Sequence, residues 1–168
     1  MLPPSTRCRR DAGFTLVEIM TVVTVIAVLL MIGIPAFLGA KSRANDRSAQ
    51  ASLRHAFSNA KTIFADTDSY AGVTVAALAK AETSLSFTAG DSGGPGVVSV
   101  DSRGSDIVLA AESQSGVCFA IGDGGPAGTV FQNLGSVAHC AATAVSAVPS
   151  SVPGAASAIP GGGWARAW

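Results

Sequence analysis

The chain has 168 residues, enough for one ordinary domain, and its 11 basic and 11 acidic side chains cancel. With 13% charged residues against 48% apolar ones, nothing in the balance calls for an electrostatic partner such as nucleic acid. The charges are unevenly placed. Residues 1–13 hold Arg7, Arg9, Arg10 and Asp11, and the rest of the chain carries a net charge of −2.

After this basic segment comes "FTLVEIMTVVTVIAVLLMIGIPAFLGA", residues 14–40, whose one charged side chain is Glu18. From Ile19 to Ala40 the chain runs 22 residues without a charge. As a helix, at about 1.5 Å per residue, that run spans roughly 33 Å and matches a bilayer core. A secretory signal has a shorter apolar core and then a small-residue cleavage site; here helix-compatible sequence continues instead. Basic residues just before such a run mark the cytoplasmic side of a membrane segment. A plain signal anchor is the simplest alternative.

Residues 41–65 change character. Leu53, Ala56, Phe57, Ala60, Ile63 and Phe64 recur at the spacing of one helical face, with charges opposite. The spacing predicts that the membrane helix continues as an amphipathic half to about residue 65 and needs a partner surface. The head, residues 66–143, is expected to supply it. "TVAALAKAETSL" (74–85) predicts a short helix. "VVSVDS" (97–102), "SDIVLAAES" (105–113), "GVCFAIGDG" (116–124) and "GTVFQN" (128–133) predict short strands between Gly, Ser and Asp turns. Strands in series with short turns imply an antiparallel sheet, and the fold class is α+β: a long N-terminal helix packed on a small sheet. Residues 144–168 are rich in Ala, Pro, Gly and Ser and read as a mobile tail. It ends in Trp164 and Trp168, whose docking place the sequence does not give.

Cys8 lies in the basic segment, which leaves Cys118 and Cys140 in the part expected outside the membrane. A bond between them would close a loop of about 22 residues and stabilise the fold by roughly 3 kcal/mol; two free thiols are the alternative.

Taken together, "G-FTLVE" at 13–18, after a short basic leader and opening an apolar helix, resembles the cleavage and methylation site of type IV prepilins. That family includes pilus subunits and the pseudopilins of type II secretion and DNA-uptake machines. Gly13, Phe14, Thr15, Leu16, Glu18 and the downstream Pro35 all match its pattern. The resemblance is dense over 13–40, looser to about 65, and beyond that one of architecture. It implies that a prepilin peptidase removes residues 1–13 by cutting after Gly13, and then methylates the new amino terminus of Phe14. It also implies assembly through residues 14–40 into a filament of this chain and other pilins, driven by an assembly platform and its ATPase. The subunit would begin as a single-pass membrane protein, N-terminus cytoplasmic and head outside, and end in a cell-surface pilus.

Glu18 then has an account. A carboxylate in the membrane costs about 2.5–3.5 kcal/mol on the mild insertion scale. The freed α-amine of Phe14 is cationic near neutral pH, since such groups titrate around 7.7–8.0. The resemblance implies that Glu18 pairs with that amine on a neighbouring subunit and so sets the axial register. The competing role is a glutamate at the membrane interface, favoured by the positive end of the helix dipole. In "GIPAFLG", Pro35 cannot donate to the Met31 carbonyl, and Gly33 and Gly39 add flexibility. In pilins such a helix-break segment implies local unwinding in assembled filaments.

Two motifs point elsewhere. "GDSGGP" (90–95) matches the sequence around the nucleophile of chymotrypsin-like proteases, and "VAHC" (137–140) the sequence around their histidine. The order Ser92 then His139 is reversed for that fold, the chain is too short for two barrels, and a Gly-rich run before a strand is well explained as a loop. The expectation is a structural protein, not an enzyme. His55 and His139 lack metal-ligand spacing, no D-x-D-x-D-G calcium pattern occurs, and no phosphate-cradling loop is visible, so neither cofactor nor metal is expected.

Overall fold

A computed structural model describes residues 13–124, 128–149 and 162–168. The basic leader with Arg7, Cys8, Arg9 and Arg10, and the middle of the low-complexity stretch, lie outside the described residues. The chain divides into two compact units at Ala40/Lys41, and helix α1 (Leu16–Thr67) contributes to both.

In the first unit no described residue is buried. Phe14, Leu16, Val17, Met31 and Ile32 are each more than seventy per cent exposed, a surface that water does not favour. Thr21 and Thr24 return their hydroxyl protons to the carbonyls of Val17 and Met20, both at 2.8 Å. That removes two polar groups from an otherwise apolar surface. The α-helix continues through Gly33, Pro35 and Gly39.

The second unit is the head, with residues 41–67 of α1 as its spine. Ala49, Leu53, Ala56 and Ala60 are fully buried, and Phe57, Ile63 and Phe64 pack beside them. The alanines let helix and sheet approach closely, and Leu53 fills the gap between them. α1 stops where Asp68 adopts φ 51°, the left-handed conformation of a helix C-terminus, with its amide on the Phe64 carbonyl at 2.7 Å. A 3-10 turn at Tyr70–Gly72 and helix α2 (Val75–Ala81) follow; Thr74 caps α2 by accepting from the Ala77 amide.

Five strands form one sheet in chain order: β1 (Ser86–Thr88), β2 (Val97–Ser102), β3 (Asp106–Glu112), β4 (Cys118–Gly124) and β5 (Val130–Gly135). β2 to β5 are antiparallel neighbours, whereas β1 runs parallel to β2. The sheet is buried on both faces. Val98, Val100, Ile107, Leu109, Ala111, Phe119 and Ile121 share the core of α1. Val108, Ala110 and Ala120 point the other way, under Cys140, Ala142 and Val145. This cover is held by the Cys118–Cys140 disulfide, with Cα atoms 5.6 Å apart, and by the Ala142 amide on Ser99 Oγ at 2.9 Å.

The described ends of the low-complexity stretch also pack, so composition underestimates them. Val145 is buried. Ala165 exchanges two backbone hydrogen bonds of 2.8 Å with Phe131 on the outer edge of β5. Trp168 sits on the α1 side against Phe119 and Phe131, ring centroids 5.2 Å from each, and Trp164 covers the opposite face. Two large aromatics give a few residues enough apolar area to dock. Gly122 makes room for this: a Cβ there would lie 2.7 Å from Val148 and 2.9 Å from Trp164.

Candidate functional site

The site singled out by the sequence begins outside the helix. Gly13, Phe14 and Thr15 are exposed and non-helical, and α1 starts at Leu16. A Cβ on Gly13 would meet nothing within 4 Å, so the chain's own packing does not require glycine there. Thr15 is the N-cap: its hydroxyl accepts from the Glu18 amide at 3.2 Å, and its carbonyl accepts from the Ile19 amide at 3.2 Å. T-x-x-E is the capping-box spacing, a local signal in "TLVE" that the membrane reading alone passes over. Glu18 therefore sits in the first helical turn, at the positive end of the macrodipole. The six residues Gly13 to Glu18 thus hold an exposed non-helical backbone, the aromatic Phe14, and a carboxylate one turn further on.

Gly33, Pro35 and Gly39 lie within α1 itself, and a Cβ on Gly33 would meet nothing within 4 Å.

The protease-like motif does not assemble. His139 Nδ1 lies 2.7 Å from Asp91 Oδ2, two members of a triad arrangement, and this hydrogen bond raises the imidazole above its ordinary pKa. Ser92, the would-be nucleophile, is buried instead. Its hydroxyl bonds the Val97 carbonyl at 2.6 Å and accepts from the Glu112 amide at 2.8 Å, and its own amide donates to the Cys140 carbonyl. Ser92 is a loop staple between β1 and β2. Among the described residues no cluster of three His, Cys, Asp or Glu could hold a metal.

Two polar ties in the head lie outside any sequence motif. Asp46 on α1 accepts from the hydroxyls of Ser113 and Ser115, at 2.7 and 2.5 Å, anchoring the β3–β4 turn. Asp123 on β4 accepts from Lys61 Nζ at 2.5 Å, from Thr129 Oγ1 at 2.7 Å and from the Tyr70 hydroxyl. Burial pushes the Asp123 carboxyl up, but these donors together outweigh it and bring it below the usual carboxylate range. Burial first, then the Asp123 carboxylate, pushes the Tyr70 hydroxyl up. Lys61 also lies over the rings of Phe57, Phe64 and Tyr70, 5.4 to 5.7 Å from their centroids.

Comparison with known proteins agrees with the N-terminal reading. Residues 8–34 match the family described as the prokaryotic N-terminal methylation motif. A type IV major pilin protein, PilA of Myxococcus xanthus (strain DK1622), is 36% identical over 61 residues. That match covers 36% of this chain and 28% of the relative's length, so the chain spans under a third of it. No solved structure matches significantly. The methylation motif, at the head of an apolar helix whose second half packs on a mostly antiparallel sheet, is what this chain shares with the type IV pilin family.

Proposed function

We propose that this chain is the structural subunit of a type IV pilus-like filament, made as a prepilin, cut after Gly13 and assembled through residues 14–40. The observation that carries the proposal is Glu18 in the first turn of α1, four residues beyond Phe14, as the one charge in an apolar exposed segment. Cleavage creates a cation at Phe14, and N-methylation keeps its charge. In low dielectric an unpaired carboxylate is costly, so a packing register that brings Glu18 of one subunit to Phe14 of the next is strongly preferred. The exposed apolar surface of residues 14–40 is held by lipid before assembly and by other subunits after it. Residues 41–65 stay in the head, whose outer surface becomes the filament surface. Gly33, Pro35 and Gly39 form the segment that unwinds on assembly.

The similar protein is described as a type IV major pilin, which supports a pilus subunit over a secretion or DNA-uptake pseudopilin. Residues 1–13, the leader, hold the N-terminus in the cytoplasm until the prepilin peptidase acts, and the pilus platform with its ATPase drives extrusion. The test is a sheared surface fraction from cells expressing this chain with Gly13 intact or replaced. Gly13→Leu should accumulate as uncut precursor in the membrane with no filaments. Filaments of normal yield from Gly13→Leu would overturn the proposal.

A further inference from the structure

We propose that the groove beside the first head turns of α1 binds the phosphate of an anionic phospholipid headgroup. This rests on the membrane reading above. The groove, about 330 Å³, is lined by Arg43, Asp46, Arg47, Gln50, Arg54 and Trp168. Arg43, Arg47, Gln50 and Arg54 follow one another at steps of four, three and four residues. They therefore share one flank of the helix, beside the buried row of Ala49, Leu53 and Ala56. Trp168 forms the facing wall, delivered there by the pairing of Ala165 with Phe131.

Its lining is net positive, three guanidiniums against the one Asp46 carboxylate. Among the described residues, Arg43, Arg47 and Arg54 form no salt bridge. Asp46, the one acid in the lining, spends Oδ1 on the hydroxyls of Ser113 and Ser115. Arg43 and Arg47, four residues apart on the helix, repel each other, and an anion held among the three guanidiniums offsets that repulsion. Guanidinium forks match phosphate oxygens two at a time, and Gln50 adds a neutral donor between them. The space suits a polyatomic group rather than one water, whose share of liquid volume is about 30 Å³.

The choice of a lipid follows from position. Arg43 and Arg47 come three and seven residues after Ala40, the last residue of the apolar run, within one to two helical turns of the hydrocarbon boundary. Arginine stems and tryptophan rings are side chains suited to headgroup depth. A zero net charge argues against nucleic acid as the occupant.

The experiment uses the full chain in maltoside micelles, which carry no phosphate, with ¹⁵N NMR of arginine Nε–H and the two indole N–H groups. Dihexanoylphosphatidylglycerol should shift the Trp168 indole and the three arginines saturably, with Trp164, on the opposite sheet face, as internal reference. Dihexanoylphosphatidylcholine should bind at least ten-fold more weakly. The triple variant Arg43→Gln/Arg47→Gln/Arg54→Gln should weaken phosphatidylglycerol binding ten-fold or more. Equal affinity for inorganic phosphate would overturn the lipid assignment. So would shifts driven by protein concentration alone, which would make a second copy the occupant, tighter binding of a short oligonucleotide, or no shift with any probe. Insertion into pure phosphatidylcholine vesicles is scored in parallel. Wild type and triple variant should insert equally. Failure of both to insert contradicts the membrane reading, whereas insertion without a phosphatidylglycerol-specific shift contradicts the groove alone.

Discussion

The Glu18 amide donates to the Thr15 hydroxyl, so the residue proposed to bridge two subunits is also the third residue of a capped helix. Capping and pairing can be separated, because a capping box accepts glutamine at this position whereas an ionic pair does not. Glu18→Gln should leave membrane insertion and helix content unchanged and abolish or cripple filament formation, seen by electron microscopy of sheared fractions. Thr15→Ala should do the reverse, costing about 0.5–2 kcal/mol of helix-start stability while filaments still form. Normal filaments from Glu18→Gln would remove the charge-pairing argument.

Asp123 makes the head sensitive to acid. Its folded pKa lies below the ordinary value, so it binds fewer protons folded than unfolded near that value. It therefore contributes stability that is present above the unfolded pKa of about 3.9 and is lost as pH falls through the folded one. The Asp123 contribution to thermal stability should be constant from neutral pH to about 5 and then fall. Asp123→Asn keeps the shape, loses the charge, and should cost about 1.5–3 kcal/mol at pH 7 while flattening the acid limb. An unchanged acid limb in that variant would place the sensitivity elsewhere.

The disulfide pins the cover over the second sheet face. Cys118→Ala/Cys140→Ala should lower unfolding free energy by roughly 3 kcal/mol, by the loop-entropy estimate for about 22 residues. Denaturant melts with and without reductant measure it. Wild type in reductant should approach the variant, and the variant should not respond.

Gly122 and Trp164 are coupled by contact. Gly122→Val should displace Trp164 and Val148 and cost about 1–3 kcal/mol, as overpacking does. Trp164→Ala should relieve most of that cost. A double-mutant cycle showing additive effects would contradict the packing. The Trp168 indole nitrogen is buried without a partner among the described residues. Trp168→Phe should therefore cost far less than Trp168→Ala, for which about 3 kcal/mol is expected.

Much of the head was legible because its strands are short apolar runs between strong turn residues. "VVSVDS" is β2 residue for residue, and β3, β4 and β5 fall within one or two residues of their expected spans. The helical face at 53, 56, 57, 60, 63 and 64 is the one that packs, since an amphipathic period carries its own direction. β1 was not legible: "SFT" is three residues long, and its pairing to β2 is a tertiary choice. Nor was the second buried face, because Cys140, Ala142 and Val145 follow no strand or helix period. Asp123 looks like a turn residue in "GDG", and only the fold brings Lys61 and Tyr70 to it.

The central claim is that proteolysis creates the cation that Glu18 meets. Intact-mass analysis of the chain from its native membrane or sheared surface fraction tests it most directly. The account predicts a chain beginning at N-methylated Phe14 and lighter by the two hydrogens of the Cys118–Cys140 bond. A mass retaining the segment with Arg7, Arg9 and Arg10 would contradict it.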